Sequence, residues 1–399
     1  MKQAFQNKQC DAPCPVGNEI PEGWGELSLG DIANFKNGKS SPERNDVSNY
    51  AVFGSNGIIG HVGQYNSPDG TVIVGRVGSY CGSVYFSRNK CWVTDNAIIG
   101  LPSTYTDAEF LYYLLLNLNL NNHRGGSGHP LLNQGTLNSL KVSVPSFNEQ
   151  RAIAKILSDL DEKIELNHQM NKTLEVVGQA LFKRWFVDFE FPGYEKTKFV
   201  SGFPVGWEEK PLDQVAHFLN GLALQKYPQK GEKYLPAIKI RELNQGVTES
   251  SDKVSIEIDP AYIVDDGDVL FSWSGSLNVV LWGHGKGALN QHLFKVTSQE
   301  YPKWFYFFWI KYHLPGFQHI AEGKATTMGH IQRHHLSEAT VLLPLKEILR
   351  TMTAIVEPMV DQIVNNLVEI RNLQQIRDSF LPRLMSGKIR VSLLDKMTV

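Results

Sequence analysis

Cysteine is scarce, with four in 399 residues. Cys10 and Cys14 stand close together, Cys81 and Cys91 stand apart, and no further ligand spacing follows. That pattern argues against a zinc framework and reads as thiols in a reducing compartment. Long hydrophobic runs are also missing. The longest, Phe110 to Leu116, falls well short of the roughly 20 apolar residues that a spanning helix needs. Residues 1–20 are polar and lack the apolar core of an export signal. A cytoplasmic protein with no membrane partner is therefore expected. A surplus of positive charge is absent too: 39 Lys and Arg oppose 41 Asp and Glu, for a formal net charge of −2. A nucleic-acid ligand would require the basic groups to gather on one face, or a partner to supply some of them.

Catalytic constellations are absent as well. No glycine-rich loop ends in Gly-Lys-Ser or Gly-Lys-Thr, which excludes a phosphate-cradling ATP motor. Neither an Asn-Pro-Pro-aromatic signature nor a strand-linked glycine fingerprint is present, so the chain does not itself transfer methyl groups to amines. The glycine-rich stretch Gly283 to Gly287 lacks nucleotide-loop spacing and reads as a hairpin tip. Asp265, Asp266 and Asp268 surround Gly267 in the manner of a turn entering a strand rather than a nuclease metal cluster. His334 and His335 are adjacent, so on a regular element their rings are expected to point apart, and no carboxylate spacing supports a site. The expectation is no catalytic residue, no metal and no cofactor in this chain.

What the sequence does contain is a duplication. Pro21-Glu-Gly-Trp24 is answered by Pro204-Val-Gly-Trp207. Leu29, Ala33, Phe35, Asn37 and Gly38 correspond to Leu212, Ala216, Phe218, Asn220 and Gly221 at one constant offset. Gly78-Ser79 matches Gly275-Ser276, and Leu137 with Val144-Pro145 matches Leu336 with Leu343-Pro344. With 42% hydrophobic and 20% charged residues, the chain has the composition of a folded protein of two or three units. The organisation predicted is an N-terminal tail (1–20), a mixed α/β domain (21–145) and a helical spacer (146–190). A linker (191–203), a second α/β domain (204–344) and a second spacer with tail (345–399) follow. Thr71 to Val74 and Val269 to Phe271 read as short strands; Phe110 to Leu116 and Phe305 to Ile310 read as core-facing helices.

The spacers carry a heptad stripe. In the first it runs Leu160, Ile164, Asn167, Asn171, Leu174, Gly178, Leu181, Trp185. The second gives Met359, Ile363, Asn366, Ile370, Leu373, Arg377, Phe380, Leu384. Alternating steps of four and three predict a coiled-coil seam, antiparallel if the two domains sit at its opposite ends. Asn167 and Asn366 hold the same seam position, where buried Asn penalises shifted registers. Ser146 to Glu149 forms a capping box before a short helix. Ser158 and Pro358 then mark a second start, so each long helix is predicted from there, over roughly 28 residues or about 42 Å.

In order and duplication these features resemble the DNA-specificity (S) subunit of type I restriction–modification systems. The carrying residues are Gly23-Trp24, Asn37-Gly38, Phe53 to Gly60, Gly75 to Ser79, Thr94 to Asn96, Pro145 before Glu149 to Arg151, and Asp161 to Ile164. The resemblance covers nearly the whole chain from about residue 21. It implies two tandem mixed α/β target-recognition domains joined by two long helices forming an antiparallel coiled coil. Each domain would read one half of a split target in double-stranded DNA, with the coil setting the gap. The resemblance also implies two methyltransferase (modification) subunits docked on the coil and using S-adenosylmethionine, with restriction subunits joining that core. The residues alone also admit a coiled-coil protein-interaction scaffold without a nucleic-acid role.

Candidate DNA contacts follow from donor chemistry and loop position. In the first domain they are Lys36 and Lys39 beside Asn37-Gly38, Ser55 and Asn56 in a glycine-flanked loop, and Arg76, Ser79 and Tyr80 just past a strand. In the second domain Lys226, Lys239 and Arg241 belong to the densest basic stretch. Thr326, Thr327, His330, Gln332 and Arg333 form a donor-rich run, with Gln332 and Arg333 first in line because Arg reads guanine and Gln reads adenine bidentately. The second domain has Tyr234 to Arg241 where the first has the Gly54 to Gly57 loop, so contacts do not transfer between copies. An ordinary turn and a solvated charged face remain open readings for each.

Overall fold

The computed structural model describes residues 20–45, 47–125, 130–323 and 329–391. The described residues fold as two compact units, one built from those within 20–162 and 374–391, the other from those within 163–373.

The first unit is built on an antiparallel sheet in the order Ala33–Asn37, Ala97–Pro102, Thr71–Gly75, Val84–Ser87. Its inner strand Thr71–Gly75 is buried at every position, because both faces are covered. The period-two alternation assigns the side chains. Val72 and Val74 join Phe110, Leu111 and Leu114 of the helix Ala108–Asn117. Ile73 faces the other way, against Phe53, Val93 and Ile99. That second layer is the sheet Gly57–Val62, Tyr50–Gly54, Trp92–Val93, with Tyr50–Gly54 and Trp92–Val93 parallel. Strands Gly25–Ser28 and Lys141–Val144 pair at the domain's ends. Asp107 caps the helix by accepting from Phe110 N at 2.9 Å, and its own N–H donates to Gln150 Oε1 at 2.9 Å.

The second unit repeats the plan. Its main sheet runs His217–Asn220, Leu293–Thr297, Val269–Ser272, Val279–Leu281, and its second layer Lys253–Val254, Leu235–Ile238, Gly287–Leu289, Ile263–Val264. Leu235–Ile238 and Gly287–Leu289 are again parallel, and Glu208–Pro211 pairs with Thr340–Leu343. Val269 and Phe271 pack with Phe305 and Phe308 of the helix Lys303–Glu322, while Leu270 turns to Ile238 and Leu289. The expected strands and helices are all present. The glycine-rich stretch after Trp282 is not the expected hairpin tip, because Val279–Leu281 and Gly287–Leu289 belong to different sheets. Asp265 to Asp268 is a turn: Asp265 N donates to Asp268 Oδ2 at 2.8 Å, and Asp266 and Asp268 pair with Arg371 and Lys295.

The long helices are Phe147–Phe186 and Lys346–Met385, 40 residues each. They start earlier than predicted and neither breaks near Ser158 or Pro358. The Ser158 hydroxyl donates back to Lys155 O at 3.3 Å instead of capping a new helix, and Lys155 and Asp159 form an i,i+4 ion pair across the expected break. Pro358 lies inside the second helix, where a lost N–H and ring clash cost about 3 kcal/mol. Val356 and Val360, both 1% exposed on either side of it, bury enough apolar surface to offset that cost. The capping box is half made: Glu149 N donates to Ser146 Oγ at 3.4 Å, but the Glu149 carboxylate pairs with Arg390 at 2.9 Å. The second helix, with Leu345 in place of Ser146, starts at the equivalent residue nonetheless.

The seam is antiparallel within each unit. In the second, Asn167 Nδ2 donates to Glu369 Oε2 at 2.8 Å and Asn366 Nδ2 donates to Asn171 Oδ1 at 2.8 Å. Asn171 Nδ2 reaches Ile363 O at 3.2 Å. The buried amide pair is thus Asn171 with Asn366, not Asn167 with Asn366. In the first unit Arg377 Nη1 donates to Asp161 Oδ1 at 2.6 Å, and Tyr113 donates to Asp161 Oδ2 at 2.7 Å. Ile164, Asn167, Ile363, Asn366 and Ile370 are buried; Leu160, Leu174, Leu181, Met359 and Leu373 are half-buried, and Phe380 is exposed. No helix among the described residues is long and apolar enough to cross a membrane.

Candidate nucleic-acid interface

At one corner of each unit the backbone makes the same hydrogen bonds while the side chains differ. In the first unit Gly38 N donates to Ala97 O, Lys39 N to Val93 O, Thr94 N to Phe53 O and Arg76 N to Asn96 O. In the second the matching bonds are Gly221 N to Leu293 O, Leu222 N to Leu289 O, Asn290 N to Ile238 O and Trp273 N to His292 O. Leu132 N donates to Arg76 O as Ile331 N donates to Trp273 O, and Gly78 N to Pro130 O as Gly275 N to Gly329 O. Loop 94–96 is thereby equivalent to loop 290–292, Arg76 to Trp273, and Leu131 to His330.

The glycines make this corner close-packed. A Cβ on Gly38 would lie 2.1 Å from Thr94 O, and one on Gly221 would lie 2.3 Å from Asn290 O. Both distances are far below contact, so Asn37-Gly38 and Asn220-Gly221 recur because only glycine lets the strand end approach the loop. Several buried polar atoms here also lack a partner among the described residues: Arg76 Nε, Thr94 Oγ1 and His292 Nδ1. Such atoms carry a desolvation cost unless a ligand or water satisfies them.

In the first unit the structure gathers all seven of the predicted residues around this corner. Lys36 and Lys39 are exposed at and beyond the end of Ala33–Asn37. Ser55 and Asn56 form the tip between Tyr50–Gly54 and Gly57–Val62, and the Ser55 hydroxyl donates to Asn96 O at 2.6 Å. Ser79 and Tyr80 are exposed in the 3-10 turn Gly78–Tyr80. Arg76 is half-buried, and its Nη1 donates to Asp95 O at 3.3 Å.

In the second unit His330 and Gln332 lie on the segment that bonds Trp273, and the His330 ring meets Trp273 edge-on at 6.3 Å. Gln332 precedes the helix Arg333–Glu338, and the exposed Arg333 guanidinium stands 5.7 Å from the Phe294 ring centroid. Lys239 ion-pairs with Asp252, whose carboxyl is held below its ordinary range chiefly by that hydrogen bond. Lys239 and Asp252 line a cavity of about 500 Å³ together with Lys253, Asn290, Gln291 and His292. Lys226 is exposed on the neighbouring turn Leu224–Lys226. Arg241 stands apart: it donates to the buried Glu242 at 2.7 Å and to Ser250 O at 2.9 Å. Thr326 and Thr327 lie outside the described residues.

His334 and His335 do not point apart as expected. Their ring centroids lie 3.9 Å apart, with Glu338 near enough for the three to share an ion. His335 Nδ1, however, accepts from Gln332 N at 2.9 Å. That acceptor role leaves the proton on Nε2 in the neutral ring, the reverse of a ligating histidine, whose second nitrogen donates. Cys81 and Cys91 are buried free thiols, and burial pushes the Cys91 thiol up to about 11.

Sequence reasoning missed the side chains at the centre of the corner: Asp95, Trp273, Gln291 and His292. Loop 290–292 shares no residue with Thr94-Asp95-Asn96, so identity between the copies could not align it. Equal spacing from the Gly-Ser landmarks would have come within one residue.

The family model of the type I restriction modification DNA specificity domain matches residues 21–176 and 204–374. The chain is 27% identical over 345 residues to the MjaIX type I restriction enzyme specificity subunit of Methanocaldococcus jannaschii, covering 81% of this chain and 78% of that one. To the HindI specificity subunit of Haemophilus influenzae it is 24% identical over 378 residues, covering 74% and 79%. The crystal structure of a type I restriction–modification S subunit from M. genitalium shares the fold, with TM-score 0.63 at 16% identity over 93% of this chain and 97% of that one.

Proposed function

The chain belongs to the family of type I restriction–modification DNA specificity subunits, and from that premise we propose that each unit reads one half of a bipartite duplex target through its duplicated corner. One observation carries this reading: the two corners keep the same backbone frame and glycines while their side chains diverge. A shared frame with different faces is what two different base sequences require, since phosphate contacts position a protein and base-edge contacts specify. Lys36, Lys39 and Lys253 supply cations beside the loops, which localises positive charge despite the net charge of −2.

The chain supplies recognition and the chemistry belongs to its partners. Two methyltransferase subunits carrying S-adenosylmethionine dock on the long helices, restriction subunits join them, and the assembly works in the cytoplasm. The helices set the gap between the half-sites. A four-residue insertion within 160–185, matched by one within 359–384, widens that gap and leaves both half-site sequences unchanged. An altered half-site with an unaltered gap would count against the helices as the ruler.

Selection from a randomised duplex pool, with this chain purified together with its methyltransferase partner, tests the reading. Two short conserved blocks separated by a fixed unread gap are expected. Binding is also expected to weaken steeply as salt rises, by about 10³-fold or more between 50 and 200 mM if six or more phosphates are neutralised. An intact complex that selects nothing would leave a protein-interaction scaffold.

A further inference from the structure

Asp95 and Gln291 are the central residues of the equivalent loops 94–96 and 290–292. Asp95 is exposed, and its carboxylate has no hydrogen-bond partner among the described residues. The backbone beneath it is fixed: Arg76 Nη1 donates to Asp95 O at 3.3 Å, and the Ser55 hydroxyl and Arg76 N both hold Asn96 O. Gln291 is the equivalent residue and is fixed in the same way. Trp273 Nε1 donates to Gln291 O at 3.2 Å, and Gln291 N donates to Leu222 O at 2.8 Å. Residues 76 and 273, equivalent by the backbone frame, thus clamp the same carbonyl with unrelated side chains.

A lone carboxylate in a corner that also carries Lys36 and Lys39 is costly beside phosphate unless it has a donor to meet. The donor available in the major groove of a C·G pair is the cytosine N4 amine, which Asp and Glu accept. Gln291 carries a donor and an acceptor together, its Nε2 lying 3.3 Å from His292 Nε2, and that pair is the complement of adenine N6 and N7. Gln291 lines the cavity that also contains Lys253, a cation able to hold a neighbouring phosphate.

We infer that Asp95 and Gln291 are position-equivalent specificity residues, Asp95 selecting cytosine in one half-site and Gln291 selecting adenine in the other. Arg76 and Trp273 act as positioning residues, each through the carbonyl it clamps. This inference rests on the reading of the two corners as DNA-recognition surfaces.

The test is the duplex-pool selection repeated on the complex with Asp95→Asn, with Gln291→Glu and with each residue changed to Ala. Asp95→Asn is expected to lose the cytosine preference at a single position of one block, on the order of tenfold, the low end of what one base-reading pair discriminates. Gln291→Glu loses an adenine preference at a single position of the other block. A wild-type complex that selects two blocks, with variants that leave both blocks unchanged or weaken all sequences alike, overturns the inference and leaves the bipartite reading intact. A wild-type complex that selects no blocks overturns both. Thermal melting of each variant at the wild-type temperature establishes that a lost preference is not lost folding.

Discussion

Asn366 donates to Asn171 Oδ1 at 2.8 Å between the two long helices, and both amides are buried. Asn171 in turn donates to Ile363 O, and Gln362 Nε2 donates to Asn366 Oδ1 at 2.7 Å. The amides are satisfied in only one register, which is how a polar residue in an apolar seam specifies alignment at some cost in stability. Asn366→Leu alone strands the Asn171 acceptor and is expected to destabilise the protein by about 1–3 kcal/mol. The Asn171→Leu, Asn366→Leu double variant removes both partners and is expected to regain most of that loss. Urea midpoints of the two single variants, Asn171→Leu and Asn366→Leu, and of the double variant decide it. A double variant that loses the sum of the singles would show that the pair does not act as a unit.

Gly178 sits mid-helix because Phe308 occupies the space of its side chain. A Cβ there would lie 2.4 Å from Phe308 Cζ. In an open helix Gly→Ala gains about 0.5–1 kcal/mol. Here overpacking against the aromatic core outweighs the gain, with a cost of about 1–3 kcal/mol. Gly178→Ala is expected to lower the unfolding midpoint, and Phe308→Leu in the same chain to recover part of it. A stabilised Gly178→Ala would contradict the packing.

Much of this architecture was legible because duplication makes the sequence its own comparison. The strand Thr71–Gly75, the seam and the paired Asn-Gly turns all follow from period and offset. The helix starts were not legible, because Ser158 and Pro358 are local start signals inside continuous helices, the second overridden by burial of Val356 and Val360. The partner of Asn366 was not legible either, since an antiparallel seam pairs residues by geometry rather than by equivalent position. At the corner the glycines were visible and the loop side chains were not, because a surface that diverges with its target leaves no pattern between two copies. Arg241 drew attention as a cation, and only the fold shows that it neutralises Glu242, itself 1% exposed.

His284 gives the second unit a pH dependence. Its half-buried ring lies beside Trp282, Arg371, Asp266 and His168, and partial burial first, then Arg371, holds it below its ordinary 6.5. His168 is lowered by burial in the same direction. The unfolded chain therefore binds protons at a higher pH than the folded one. The stability from the neutral rings is complete above the ordinary value of 6.5 and is lost as pH falls from there through the folded values. Melting temperature is expected to drop from about pH 7.5 to about pH 5.5, and His284→Gln to flatten the drop. An identical pH profile in the variant would remove His284 from the account.

Arg333 and Arg241 are expected to separate recognition from stability. Arg333 is exposed, seated 5.7 Å over Phe294 beside the corner segment that carries His330 and Gln332. Its loss leaves no buried group stranded. Arg333→Ala should therefore leave the melting temperature unchanged and relax one position of one half-site by about 1–3 kcal/mol, the discrimination of a single bidentate contact. Uniform weakening across all sequences, with a shallower salt dependence, would make Arg333 a phosphate contact instead. Arg241 donates to Glu242 Oε1, an atom that also accepts from the Ser251 hydroxyl at 3.0 Å. Arg241→Ala removes the cation from a buried carboxylate and should cost about 1–3 kcal/mol of stability. The bases selected should stay unchanged, because the guanidinium is already spent on the fold. A changed half-site in Arg241→Ala at unchanged stability would reverse the two assignments.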